Sequence, residues 1–201
     1  MLGAMQLWYA PTSPFARKVR IAILELGLDT RIEEIAVNPW TDQELRALNP
    51  LAKVPTLVRE DGDVLYESSV ICDYLDSLSG TRRLYPPDGE KRWQALLLQG
   101  LADGACTAAG RLFADERRPA NERSDSMMQR FGQAITATLE RLADQELSLD
   151  PTIGEISVAA FLAYLDFRWP GHPWREGRPT LAAWFLEMSV RRSMQETTYH
   201  L

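Results

Sequence analysis

The chain has 201 residues, 45% of them hydrophobic and 25% charged, with a net charge of −6 and a pI near 5.1. Such a composition buries a core without disulfide or metal staples and excludes a disordered chain. The acidic balance excludes a general nucleic-acid binder, which needs a basic surface to displace counterions. Cys72 and Cys106 are the two cysteines and His172 and His200 the two histidines; no spacing among them makes a zinc site, and each thiol sits in an apolar helical pattern, as inert buried cysteines do. The uncharged run from Ile156 to Leu165 is about half the ~20 residues that a membrane-crossing helix needs. Met1 to Gln6 lack the basic flank and apolar stretch of a secretory signal, so a cytoplasmic location is expected.

In chain order, Gln6 to Ala10 reads as a short strand, followed by Pro11-Thr12-Ser13-Pro14 and a helix through Leu26. Phe15, Val19, Ala22, Ile23 and Leu26 share a helical face, Pro14 suits the first helical position, and Gly27 suits the residue past the end. Arg31 to Val37 is a second strand, so strand, helix and strand form a parallel crossover unit. A short helix around Gln43 to Leu48 leads to Val54-Pro55-Thr56-Leu57-Val58. Asp61-Gly62 between Thr56–Glu60 and Asp63–Glu67 predicts a hairpin. Ser68 is the expected cap of a helix that buries Ile71, Tyr74, Leu75 and Leu78 and ends at Gly80. Residues 1–80 therefore form an α/β module, and the turn-rich segment 81–90, with Pro86-Pro87-Asp88-Gly89, is the expected linker. Residues 91–201 carry no strand signal. They read as an all-α bundle of four helices, Arg92 to Glu116, Asn121 to Ala143, Ile153 to Trp169 and Thr180 to Val190, punctuated by prolines.

Three places in the first module can carry chemistry. Ser13 before Pro14 reads either as a helix cap or as a hydroxyl presented to an anion at the helix start, with Arg17, Lys18 and Arg20 raising the local potential. Val54-Pro55 is either an ordinary strand-opening proline or a cis bond that turns the Val54 N–H and C=O towards an extended peptide ligand. Glu67-Ser68 offers a hydroxyl, free helix N–H groups and a carboxylate to the zwitterionic head of an amino acid. A ligand that meets all three carries a thiol, a peptide unit and a free α-amino acid end, which is the layout of glutathione.

These residues resemble the soluble glutathione transferase family in its bacterial, serine-using form. Ser13-Pro14-Phe15-Ala16-Arg17-Lys18-Val19, Asn49-Pro50 to Lys53-Val54-Pro55-Thr56-Leu57, and Glu67-Ser68-Ser69-Val70-Ile71 match its N-terminal motifs in order and spacing. Thr152-Ile153-Gly154-Glu155, a capping-box pattern before an apolar helix, is similar to its second-domain motif. The resemblance implies a thioredoxin-like first domain, an all-α second domain, a two-fold homodimer, and glutathione as co-substrate without a metal. It implies Ser13 as the thiol-activating residue, with Tyr9 as the rival and Thr12 behind it, and Lys53, Val54, Pro55, Glu67 and Ser68 as further glutathione contacts. Aligned on Pro14, both cysteines of related redox folds are replaced by Ser13 and Ala16, which removes two-cysteine disulfide exchange. Trp8, Phe15, Arg111, Phe113 and Tyr164 are candidates to face an electrophile pocket between the domains. The expected activity is attack of the glutathione thiolate on a small hydrophobic electrophile. Isomerisation, dehalogenation, peroxide reduction and a non-catalytic binding role stay open.

Overall fold

The computed structural model describes residues 4–80 and 84–201, so the N-terminal positions 1–3 and linker positions 81–83 lie outside the described residues. The chain divides into two units, one running to Pro87 and including Arg191–Leu201, the other Asp88–Val190.

In the first unit, β1 (Met5–Tyr9), α1 (Pro14–Glu25), β2 (Ile32–Ala36), α2 (Gln43–Leu48), β3 (Thr56–Val58), β4 (Val64–Tyr66) and α3 (Ser68–Ser77) follow in that order. The sheet order is β2-β1-β3-β4, with β1 parallel to β2 and the other neighbours antiparallel. This is the thioredoxin-like α/β architecture. Met5 and Leu7 are fully buried on one sheet face. On that same face Arg20 of α1 reaches the Glu34 carboxylate of β2 at 2.8 Å and lies over the Tyr9 ring, which places α1 there; α1 also packs against α3. Gly27 ends α1 at φ +66°, a conformation that suits glycine. The hairpin is looser than Asp61-Gly62 predicts: Val58 pairs with Val64, and residues 59–63 form the connection, closed by the Arg59 N–H on Asp63 O. After α3, the Asp76 carboxylate accepts the backbone N–H groups of Leu84 and Tyr85, tying the start of the connection to the module.

The second unit holds α4 (Gly89–Glu116), α5 (Asp125–Ala143), α6 (Ile153–Arg168) and α7 (Pro179–Ser189). No helix among the described residues is long and apolar enough to cross a membrane. α6 is the spine of the unit, buried at every position from Ile153 to Leu165. Its start is fixed by the expected capping box: Thr152 Oγ1 accepts the Gly154 N–H at 3.1 Å, and Glu155 Oε2 accepts the Thr152 N–H at 2.9 Å. Buried alanines, Ala95, Ala102, Ala105 and Ala109 on α4 and Ala159 and Ala160 on α6, let these two helices approach closely. The last residues leave this unit. After Val190 a short helix, α8 (Arg192–Gln195), packs against α1 of the first unit.

The α4–α6 contact is tightest at Gly154, where an added Cβ would lie 3.0 Å from the Ala95 carbonyl oxygen and 3.0 Å from the Leu98 Cβ. Overpacking of this kind costs about 1 to 3 kcal/mol. Gly154→Ala is expected to lower unfolding stability by about that amount in urea titration, and an unchanged midpoint would show that the two helices separate freely.

Candidate functional site

The register of the sheet gathers the predicted residues of the first unit. Trp8 of β1 pairs with Thr56 of β3, and Thr56 pairs with Tyr66 of β4. Ser13 follows the end of β1, Val54-Pro55 precedes the start of β3, and Glu67-Ser68 follows the end of β4, so all three segments emerge at one end of the sheet. The starts of α1 and α3 lie at that same end, and neither helix has an acidic residue in its first turn. Free N–H groups at two helix starts favour an anion.

Ser13 is half-buried and extended, the N-cap of α1, and its Oγ accepts the Ala16 N–H at 3.2 Å. The cap and the presented hydroxyl are therefore compatible: accepting from Ala16 occupies a lone pair and leaves the O–H proton for another acceptor. The Val54–Pro55 bond is cis. Lys53 O is taken by Asn49 Nδ2 and by the Thr56 hydroxyl, whereas the Val54 N–H and C=O make no hydrogen bond to any described residue.

The second helix start departs from expectation. Ser68 is not the cap of α3 but its first residue, 4% exposed; Glu67 occupies the cap position, at φ +71° and ψ 119°, with no side-chain cap bond. A non-glycine residue at such angles costs about 1 to 3 kcal/mol. The Glu67 carboxylate is exposed, and neither it, the Ser68 hydroxyl nor the exposed Lys53 ammonium is engaged by another described residue.

The basic residues of α1 do not serve Ser13 as expected. Arg17 is 6% exposed and donates through Nη2 to Met194 O at 3.0 Å and through Nε to Thr197 Oγ1 at 3.3 Å. Arg20 is neutralised by Glu34, and Lys18 is buried. Side chains past the first turn point back along the flanks of the helix, so the positive field at Ser13 comes from backbone amides.

Tyr9, the rival, is half-buried with its ring beneath the Arg20 guanidinium at 4.5 Å. Trp8 lies on the opposite sheet face, 7% exposed, and its indole Nε1 meets no hydrogen-bond partner among the described residues. Phe15 is half-buried in the first turn of α1.

In the second unit the structure brings Phe113 and Tyr164 together but leaves Arg111 exposed on α4. The link is Arg168, which sequence reasoning missed: its guanidinium lies over the rings of Phe113 (4.2 Å), Phe167 (4.7 Å) and Tyr164 (5.1 Å). Burial raises the Tyr164 hydroxyl above its ordinary pKa, opposed by the charge of Arg168. The spacing of Tyr164 and Arg168, one turn apart on α6, is the signal that could have exposed the pair. Among the described residues no group of histidine, cysteine or acidic side chains could hold a metal ion.

Two family models match the chain: one described as glutathione S-transferase, N-terminal domain, over residues 12–78, and one described as glutathione S-transferase, C-terminal domain, over residues 118–187. The chain is 30% identical to the uncharacterized GST-like protein YibF of Escherichia coli K12, across 96% of this chain and 98% of that protein. A glutathione transferase family member from Pseudomonas fluorescens Pf-5 with bound glutathione superposes with a TM-score of 0.89 at 35% identity, covering 98% of this chain and 100% of that one. A glutathione S-transferase from Methylobacillus flagellatus KT with GSH bound gives 0.90 at 30% identity, covering 98% and 100%.

The backbone of Glu67 supplies a test of this end of the sheet. Glu67→Gly is expected to relieve its conformation and raise unfolding stability by about 1 kcal/mol in urea titration, the strain recovered less the entropy that glycine loses on folding. A loss of stability would mean that the Glu67 carboxylate has a structural partner.

Proposed function

Since the chain belongs to the glutathione S-transferase family, we propose that it binds glutathione at the end of its sheet and activates the thiol for attack on small hydrophobic electrophiles. The observation that carries this reading is the convergence, through the Trp8–Thr56–Tyr66 row, of the Ser13 hydroxyl, the open Val54 amide and carbonyl, and the start of α3 with Glu67 and Ser68. Each group suits one part of the tripeptide. The Ser13 O–H donates to the sulfur, Val54 pairs with the cysteinyl backbone as a short added strand, and Ser68 with the α3 amides takes the γ-glutamyl carboxylate while Glu67 takes its ammonium. Lys53, exposed beside Val54, pairs with the glycine carboxylate. Pro55 shapes the loop that presents Val54.

The energetics are sufficient. A free thiol titrates near 8.5, and lowering it by about two units needs about 2.7 kcal/mol of preference for the anion. A hydrogen bond to a charged group supplies about 1.5 to 3 kcal/mol, and a helix start about 0.3 to 1. Thiolate attack displaces a leaving group from the electrophile or adds to its activated double bond, and needs no redox partner or metal. Phe15, half-buried in the first turn of α1 and two residues beyond Ser13, is the side chain we assign to the electrophile. The role that follows is detoxification in the cytoplasm.

We further propose a homodimer. In the first unit Tyr66 (40%) and Val70 (51%) are exposed, and Trp93 (65%) and Leu97 (73%), one turn apart on α4, expose a second apolar face. A second copy of the chain would cover such surface. Light scattering is expected to give twice the chain mass, and Leu97→Glu to give the single mass; a monomeric wild-type chain would remove this part of the reading.

The decisive test is ultraviolet titration of bound glutathione beside turnover of an aromatic electrophile. Ser13→Ala is expected to raise the pKa of the bound thiol by about one to two units and to cut turnover about 3- to 25-fold at neutral pH, with Tyr9→Phe unaltered. The same two changes in Tyr9→Phe, with Ser13→Ala unaltered, would transfer the role to Tyr9. Absence of binding at millimolar glutathione would leave a non-catalytic binding protein.

A further inference from the structure

We propose that the C-terminal segment Arg191–Leu201 is a strap on α1, and that Arg17 is the positioning residue through which it sets the Ser13 hydroxyl. The proposal rests on the reading that Ser13 faces the glutathione thiol.

Arg17 is coupled to Ser13 by the backbone: its N–H donates to Ser13 O at 3.0 Å, the first hydrogen bond below the cap. Its side chain is committed to the strap. Besides the bonds to Met194 O and Thr197 Oγ1, its guanidinium lies 4.5 Å from the centre of the Tyr199 ring. Thr197 is itself 1% exposed and donates to Ser193 O at 2.7 Å, so the acceptor is rigid. A second clamp grips the other end of α1. Glu25 accepts from Arg191 Nε at 2.8 Å and Nη2 at 2.7 Å and from the Ser193 hydroxyl. Beyond the helix, Arg192 pairs with Asp29 at 3.0 Å.

A guanidinium in this place is a poor choice for stability alone. Burial disfavours its charge and pulls its pKa down, and an apolar side chain of similar volume commonly serves a core as well or better. A planar group with fixed donor directions supplies what an apolar side chain lacks: it fixes both the rotation of α1 about its axis and its slide along it. The thiolate bond at Ser13 depends on those coordinates, because hydrogen bonds weaken steeply with angle and a displacement of about 1 Å can cost about 100-fold in rate. The strap thus reaches the chemistry without touching it.

The test uses the full-length chain with Thr197→Val and Tyr199→Ala, each beside its conservative partner, Thr197→Ser and Tyr199→Phe. The first pair is expected to raise the pKa of bound glutathione by about 0.5 to 1 unit and to lower kcat about three- to tenfold below that pKa. Below that pKa, where bound glutathione carries a protonated thiol, its affinity should change by less than about twofold, because Val54, Glu67 and Ser68 are separate contacts. The Ser variant should restore the wild-type titration, and the Phe variant, which keeps the ring under Arg17 but loses the hydroxyl that hydrogen-bonds it, should restore it in part. Amide exchange at Ala16, whose N–H donates to Ser13 Oγ, should quicken in the Val and Ala variants and recover in the conservative ones. An unchanged thiol titration in both disruptive variants overturns the proposal, even if they melt earlier. Should the wild-type protein bind no glutathione, the functional reading falls by itself and Ala16 exchange decides the strap: faster exchange supports it, unchanged exchange overturns it.

Discussion

The constraint on which the rest of the first unit depends is the register that aligns Trp8, Thr56 and Tyr66 in one row across three strands. A slip of one residue in any of these pairings would invert the faces of a strand and move its end away from its neighbours. With the row in place, Ser13, Val54 and Glu67 each lie a few residues from a fixed point of the sheet. The chemical groups sit on loops and helix starts, while their coordinates are inherited from strands, the usual division between variable function and rigid scaffold.

Around Ser13, electrostatics comes from the main chain rather than from side-chain charge. Arg17 and Arg20 carry positive charge on the same helix as Ser13, yet one is spent on the C-terminal segment and the other on Glu34. What remains at the start of α1 is a hydroxyl and the amides of a first helical turn without acidic residues. Such a field is fixed by geometry and confined to about one turn. A free lysine or arginine there would attract anions more broadly, so the withdrawal of these charges leaves a field that favours an anion only where the helix start points.

Much of this was legible in the sequence, because local patterns carry it. The face made by Phe15, Val19, Ala22 and Ile23, with Pro14 before it and Gly27 after it, marks α1 to within a residue or two. The Thr152–Glu155 box marks the start of α6 in the same way. What stayed hidden was set by partners distant along the chain. Arg17 looked like a solvated cation beside an anion site because nothing near it in sequence announces Met194 or Thr197. Ser68 looked like a cap because serine before an apolar run usually is one; the positive φ of Glu67 shifts the helix start by one residue, and glutamate gives no warning of it. Phe113, Tyr164 and Arg168 form a cluster only once α4 and α6 are packed.

The return of the last eleven residues to α1 has a consequence for the making of the protein. Residues 177 and 180 positions apart must meet before Arg17 is satisfied, so the N-terminal module leaves the ribosome long before the residues that complete it are made. Domains that emerge first generally fold first. Here the first to emerge is the last to be completed, since its helix waits on the carboxyl end of the chain. A product that stops before residue 191 would therefore carry every strand of the sheet, with Ser13, Val54 and Glu67, yet leave the buried Arg17 cation without its acceptors.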